Sequence, residues 1–335
     1  MLRSAPGRLA LFALLTAALA LGLHLLLARS LRRIATGEIG AFNQAMQGRA
    51  NADIVISGSS RAFRHYDPRI LYRETGLTTF NLGRNASQID VQFGVLKDYL
   101  RHNRKPRLVI QNLDLQSFIL TRPGDIFDPS LYVPYLDHEE LYDCLRQIDP
   151  GLWKWRYLPL YAFATQDTTF TWTAGLRALV HPGAAEACFD GFCPVDRGWT
   201  GDFDRFRRHH PDGIEIPIDP GGVAVLDAMA DLCRREGIQL MLVYSPQYHE
   251  MIGLTRNRAK IFELFHAIAE RHGLTFLDYS DSPISRSREL FYNAQHLNST
   301  GAEQFSLDLA HRLVAQGVAA AGSAAGPARS SGQTR

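Results

Sequence analysis

The sequence predicts an α/β domain built on an open five-stranded parallel sheet with helices on both faces. Three observations carry that prediction. Short β-branched or apolar runs recur near residues 53–57, 77–83, 107–114, 238–244 and 274–277. Segments with helical spacing separate most of them, and strands alternating with helices make parallel sheets through βαβ crossovers. Polar and glycine residues gather where the runs stop, at the carboxyl edge where such sheets build their sites.

The elements follow in order. Residues 9–28 are an almost unbroken apolar run with His24 near its far end, and about 20 such residues cross a bilayer as a helix. Arg3, Arg8 and Ala18-Leu19-Ala20 also fit a cleavable signal peptide. Cleavage there leaves Leu21 to Ala28 as a bare apolar start, so residues 1–29 read as an uncleaved anchor. Arg3 and Arg8 face Arg29, Arg32 and Arg33 across the span, so charge does not set its orientation. One N-terminal anchor ahead of a large domain is expected in the cytoplasmic (inner) membrane, with that domain facing the periplasm or cell exterior. Residues 30–50 read as a polar, partly helical stalk and 51–317 as the globular domain.

Within the domain, Asp53 to Ser57 is a strand that runs into Gly58-Ser59-Ser60. Asp67-Pro68 opens a short helix that closes before Gly76, proline being well placed in a first turn. Leu77 to Gly83 is the second strand. Ile89, Phe93, Leu96 and Leu100 share one face of a helix over residues 86–103, and Arg107 to Asp114 is the third strand. The alternation then breaks. Residues 115–220 are rich in aromatics, proline and glycine and read as an insertion over the sheet's carboxyl edge. Its aromatics either stack on sugar rings or form the insertion's own core, and the second is the commoner use. The rhythm resumes with a helix over 223–236, a strand, a helix over 261–271, a strand ending at Asp278, and a last helix over 300–315. Thr300-Gly-Ala-Glu303 fits a capping box. Residues 318–335, rich in Ala, Gly and Ser, read as a disordered tail.

Composition narrows the function classes. Hydrophobic content of 46% and charge of 21% are ordinary for a globular chain of 335 residues. A net charge of +2 with no concentrated basic face argues against nucleic acid. Cys188 and Cys193 flank Gly191 and suit a small disulfide loop in an oxidising compartment, while their spacing fits no zinc pattern. Cys233 lies in a helical pattern as a small hydrophobe. No metal or organic cofactor is expected.

Gly58-Ser59-Ser60 by itself is better explained as a tight βα turn whose serines cap the helix than as a nucleophile. Other strand ends add Asn81-Leu-Gly83-Arg-Asn85 and Asn112-Leu-Asp114, and the loop before the last helix adds Asn293-Ala-Gln-His296-Leu-Asn298. A serine needs a base, which histidine supplies near neutral pH. A developing oxyanion needs N–H donors, which backbone and asparagine amides supply.

These four blocks, in this order, resemble those of the SGNH (GDSL-like) hydrolase superfamily. The resemblance implies Ser60 as nucleophile and His296 as its base. It implies an oxyanion hole from the Ser60 and Gly83 amides and the Asn112 side chain, with Asp114 the rival to Asn112. Asn293 stands where the family has aspartate, so Asn293, Asp278 or Asp281 is expected to orient His296. Gly-Ser-Ser-Arg, Phe-Asn-Leu-Gly and His-Leu-Asn-x-x-Gly-Ala look most like membrane-anchored SGNH-like proteins of bacterial envelopes, including relatives of the alginate acetylation and lipoteichoic-acid D-alanylation proteins. The likeness covers about residues 50–115 and 235–315 and leaves the insertion out. It implies a serine esterase or O-acyltransferase working on O-acyl groups, chiefly O-acetyl, of an envelope polysaccharide, with a membrane acyl-donor protein as candidate partner. The alternative is a catalytically degenerate scaffold or glycan-binding partner in a polysaccharide modification complex, which Asn293 and the poor third block favour. Asn85-Ala-Ser87 and Asn298-Ser-Thr300 match glycosylation sequons, and their place at the proposed site marks them as coincidences.

Overall fold

The strands β1 (Ile54–Ser57), β2 (Thr79–Asn81), β3 (Leu108–Asn112), β4 (Gln239–Tyr244) and β5 (Thr275–Asp278) form one sheet in the order β2-β1-β3-β4-β5. Every pairing is parallel. The arrangement comes from a computed structural model that describes residues 5–165, 168–180 and 188–318. Alternation along each strand sends side chains to opposite faces. Val55, Val109, Leu240 and Leu242 enter one apolar core, and Ile54, Ile56, Leu108, Ile110, Met241 and Val243 enter the other. Helices on both sides are what such two-sided apolar strands require.

The chain begins with α1 (Ala5–Leu31), which is long and apolar enough to cross a membrane. Next comes α2 (Gly37–Met46), which corrects the expected stalk. Ala41, Phe42, Ala45 and Met46 are buried in the domain core, and Asn43 Nδ2 donates to the carbonyls of Leu31 and Ile34. The segment looks polar because its glycines and its asparagine serve close packing and an internal hydrogen bond. After β1 come α3 (Ser60–His65) and α4 (Pro68–Thr75), and α5 (Ile89–His102) precedes β3.

The insertion carries α6 (Pro129–Tyr132), α7 (Glu139–Ile148), α8 (Trp153–Tyr157), α9 (Tyr161–Thr165), α10 (Thr168–Val180) and α11 (Asp202–His209). The group α6–α10 packs on α5, α2 and α1 rather than over the sheet's carboxyl edge, a correction to the expected placement. By contrast, α11 lies beside Tyr248 and Glu250, where Arg207 Nη1 donates to Glu250 Oε2 at 2.6 Å. Trp155 is buried in that core, as the commoner use of aromatics predicts. The second half of the fold runs α12 (Pro220–Arg235), β4, α13 (His249–Gly253), α14 (Arg258–His272), β5 and α15 (Pro283–Arg286). A two-residue turn joins the antiparallel strands β6 (Phe291–Asn293) and β7 (His296–Leu297), and α16 (Ser299–Ala315) follows. The cap of α16 is Asn298, whose side chain accepts from Gly301 N–H at 3.0 Å, not the predicted Thr300 box. The tail from residue 319 lies outside the described residues.

Cys188 and Cys193 form a disulfide. Their hairpin lies along the open edge of β2, where Asp190 O accepts from Asn81 N–H at 2.8 Å. Gly191 has φ +89°, and a Cβ there would collide with the Asn81 carbonyl.

Candidate active site

β1 ends in Gly58, whose φ of +153° turns the chain sharply into α3. A Cβ on Gly58 would sit 2.7 Å from Ala62 Cβ and 2.8 Å from Asn112 Cβ. This close approach sets Ser59 at the helix cap and Ser60 at its first residue. The β6–β7 hairpin brings His296 across the chain to Ser60, with Nε2 2.8 Å from Oγ. Asn293 Oδ1 accepts from the backbone N–H groups of Gln295 and His296, each at 2.9 Å, and lies 3.0 Å from His296 Nδ1. Those two backbone donors force the amide oxygen inward. Nδ1 therefore carries the ring proton, and Nε2 offers its lone pair to the Ser60 hydroxyl.

The imidazole is held in place from several sides. Tyr292 stacks on it at 5.4 Å with an interplanar angle of 7°. Beneath it, buried His65 accepts Leu297 N–H at Nε2 (3.1 Å), so its Nδ1 donates to Ser245 Oγ (3.0 Å). Burial, together with the charges of Arg61 and Arg64, pushes His296 down to about 3. Burial first, then the Arg61 charge, holds His65 well below its ordinary range. Both rings are neutral near pH 7.

Several expected partners stand elsewhere. Asp278 accepts from the Ser280 backbone N–H at 2.8 Å, and Asp281 pairs with Arg286, so neither orients His296. The turn after β5 satisfies its acids locally. Gly83 N–H donates to Asn81 Oδ1 at 2.8 Å and is not free for an oxyanion. Asn112 is buried: its Oδ1 accepts from the Tyr66 hydroxyl at 2.8 Å, and its Nδ2 faces Asp114 Oδ1 at 3.3 Å. The rival Asp114 takes the place on the cleft wall. Its Oδ1 accepts from buried Arg61 at 2.9 Å, and its Oδ2 accepts from the Ser59 hydroxyl.

The cleft beside Ser60 has a volume of about 80 Å³ and is lined by Ala86, Gln88, Asp114, Gln116 and Gln247 among others. Two of these were missed by sequence reasoning. Ala86 has φ +50°, and its N–H makes no hydrogen bond among the described residues. Gln247 Oε1 is taken by the Tyr244 hydroxyl, which leaves Nε2 as the amide atom for the cleft. A positive φ at an alanine has no sequence signature, and the Tyr244–Gln247 pair offers only a spacing of three. None of α6–α10 lines the cleft.

One group among the described residues could hold a metal: Asp98, His102 and His138, with ligating atoms within 4.8 Å of one another. None of the three lines the cleft, and His138 Nδ1 lies 2.9 Å from Asp98 Oδ2.

No protein-family model and no curated protein matches the chain. Solved structures do show likeness. A protein assigned to the lipolytic G-D-S-L family from Desulfitobacterium hafniense is 12% identical with TM-score 0.39, over 77% of this chain and 97% of that one. A GDSL-like lipase from Bacteroides thetaiotaomicron is 10% identical with TM-score 0.36, over 82% and 99%. The aryl esterase of M. smegmatis is 10% identical with TM-score 0.36, over 78% and 98%. At these identities and TM-scores the likeness assigns neither activity nor substrate. A hydroxyl bonded to an unprotonated imidazole nitrogen at a helix N-terminus can lose its proton as its oxygen attacks a carbonyl carbon.

Proposed function

We propose that this chain is a membrane-anchored serine esterase or O-acyltransferase that takes short O-acyl groups, chiefly acetyl, from or to a glycan of the cell envelope. The observation that carries the reading is the 2.8 Å contact between Ser60 Oγ and His296 Nε2, with Asn293 fixing the tautomer. Ser60 Oγ attacks the acyl carbonyl carbon while His296 Nε2 takes its proton. The tetrahedral oxyanion is held by the Ser60 N–H, with the Ala86 N–H and the Gln247 amide as further donors bordering the cleft. On collapse, His296 returns the proton to the departing alcohol oxygen and leaves acyl-Ser60. Water or an acceptor hydroxyl then gives its proton to His296 and attacks the acyl carbon. Collapse of that second adduct restores Ser60.

Three observations support acyl size and place. A cleft of about 80 Å³ suits a few heavy atoms, well below the ~300–1,000 Å³ of pockets for drug-sized ligands. The apolar α1 and the Cys188–Cys193 disulfide fit a domain anchored in the cytoplasmic (inner) membrane and facing an oxidising periplasm or exterior. An envelope polysaccharide is the proposed acceptor and a membrane acyl-donor protein the proposed partner.

A second reading, a glycan-binding scaffold that has lost catalysis, is favoured by two observations. Asn293 gives His296 no charge, and the Gly83 and Asn112 amides are already engaged. A fluorophosphonate probe on the folded full-length protein separates the two. Labelling that disappears in Ser60→Ala supports the enzyme, and absence of labelling in the wild type supports the scaffold. Acetate release against acetyl transfer to a polysaccharide then separates esterase from transferase.

A further inference from the structure

His24, the one titratable side chain in the apolar run, is not left to lipid. Its Nδ1 accepts a hydrogen bond from the backbone N–H of Leu160 at 3.3 Å, and its ring meets the edge of Phe163 at 5.4 Å between centroids. One turn further along α1, Leu27 is fully buried and Ser30 Oγ donates to the Gly175 carbonyl at 2.7 Å. A Cβ on Gly175 would lie 3.1 Å from Leu27 Cδ2, so a small residue is what lets α10 approach. The insertion is thus fastened to residues 24–30 of α1. At about 1.5 Å per residue, His24 lies about 6 Å inside the end of the run at Ala28.

The outer side of the fastened segment is apolar. Gly175 and Ala178 face the protein, whereas Leu176 is 51% and Val180 71% exposed, with Leu179 beside them. At about 100° per residue these three fall in one arc of about 100°, and Arg177 falls outside it. Tyr157 in α8 is 61% exposed, and Trp153 and Leu158 are also open. A groove of about 780 Å³ beside α1 is lined also by Asp137 and by Arg156, which is paired with Glu139, and its α1 wall runs from Leu21 and Leu25 to Arg29 and Arg33. That order follows a lipid from acyl chain to anionic headgroup.

We propose that α8–α10 of the insertion is a second membrane-contacting element, seated in the bilayer surface beside α1. Leu176, Leu179 and Val180 enter the apolar boundary, and Trp153 and Tyr157 lie at headgroup level, where aromatic rings gather. Continuity with the span identifies lipid as the occupant, because the stripe adjoins a helix turn that already lies at membrane depth. The proposal rests on the reading of α1 as a membrane span. Its consequence is geometric: two contacts hold the domain at one tilt and one height, so the Ser60 cleft stands at a set distance from the surface.

The test uses the full-length protein in liposomes, with an environment-sensitive fluorophore on Leu15→Cys, Leu176→Cys, Val180→Cys, Arg177→Cys or Arg235→Cys. The native free cysteines, Cys144 and Cys233, are buried. Quenching by spin-labelled lipid is compared with quenching by aqueous iodide. Expected is strong lipid quenching and several-fold weaker iodide quenching at Leu15, Leu176 and Val180 than at Arg235, with Arg177 more open to iodide than Val180. If Leu15 is shielded while Leu176 and Val180 quench like Arg235, the second contact is overturned and the span stands. Equal shielding at Arg177 and Val180 overturns the one-sided seating. If Leu15 itself is open to iodide, the span falls and the proposal with it.

Discussion

Asn293 holds His296 at two points. Its Oδ1 accepts the His296 backbone N–H at 2.9 Å and lies 3.0 Å from the ring Nδ1. The tautomer is therefore set correctly for Ser60, but no negative charge balances an imidazolium. His296 stays neutral down to about pH 3 and is a weak base. Asn293→Asp keeps the three acceptor contacts and adds a charge that favours the protonated ring, which raises its pKa. Ester turnover should rise by at least about tenfold, with about 10⁴ as the bound set by the reverse change in a serine-protease triad. The acid limb of the pH–rate profile should move upward from near 3. A variant no faster than wild type, with an unmoved limb, would remove the charge argument.

Ser60 and Ser59 separate cleanly. Ser60→Ala should abolish covalent labelling and turnover. Ser59→Ala removes a hydroxyl that donates to Asp114 and should leave labelling in place. Mass spectrometry of the labelled peptide decides which oxygen reacts, and a tag on Ser59 would reverse the assignment.

Stability should fall in acid over a defined window. His296 ordinarily titrates at 6.5 and in the fold is held near 3. Between those values the unfolded chain binds a proton that the folded chain refuses, so stability is lost as pH drops through the window. His65 acts in the same direction. His296→Gln should take up about one proton fewer on unfolding near pH 5. Urea midpoints across a pH series measure this, and identical pH dependence in both proteins would contradict it.

Gly58→Ala should cost about 1–3 kcal/mol through overpacking, because its Cβ meets Ala62 and Asn112 and its φ is +153°. Gly253→Ala, where a Cβ meets nothing within 4 Å, is the control. Equal urea midpoints for the two variants would show that the turn relaxes freely.

Replacing Cys188 and Cys193 together by serine should cost about 2 kcal/mol for a loop this short. The loss should appear in chemical denaturation, since the hairpin covers the edge of β2. A variant as stable as the oxidised protein would show that the hairpin holds without its bond.

Strand and helix signals depend on neighbours a few residues apart, so the five runs that became β1 to β5 were legible before any contact was known. So was the short helix opened by Asp67-Pro68, whose carboxylate does accept Arg69 N–H at 2.9 Å. The disulfide spacing was legible for the same local reason. The sequence by itself therefore determined the parallel α/β architecture, the apolar helix ahead of it, and the serine pair after the first strand. It showed His296 only as part of a loop before the last helix, and the fold makes that loop the β6–β7 hairpin. Only the tertiary structure decided which N–H groups are free. Asn81 takes the Gly83 amide, Tyr66 and Asp114 occupy Asn112, and local partners hold Asp278 and Asp281 away from His296. It also buried α2, which composition presents as a stalk, and brought Ala86 and Gln247 to the cleft. A propensity is the sum of local terms, whereas the availability of a donor depends on a partner brought in by another element. Identity can be read from the chain one residue at a time, but availability cannot.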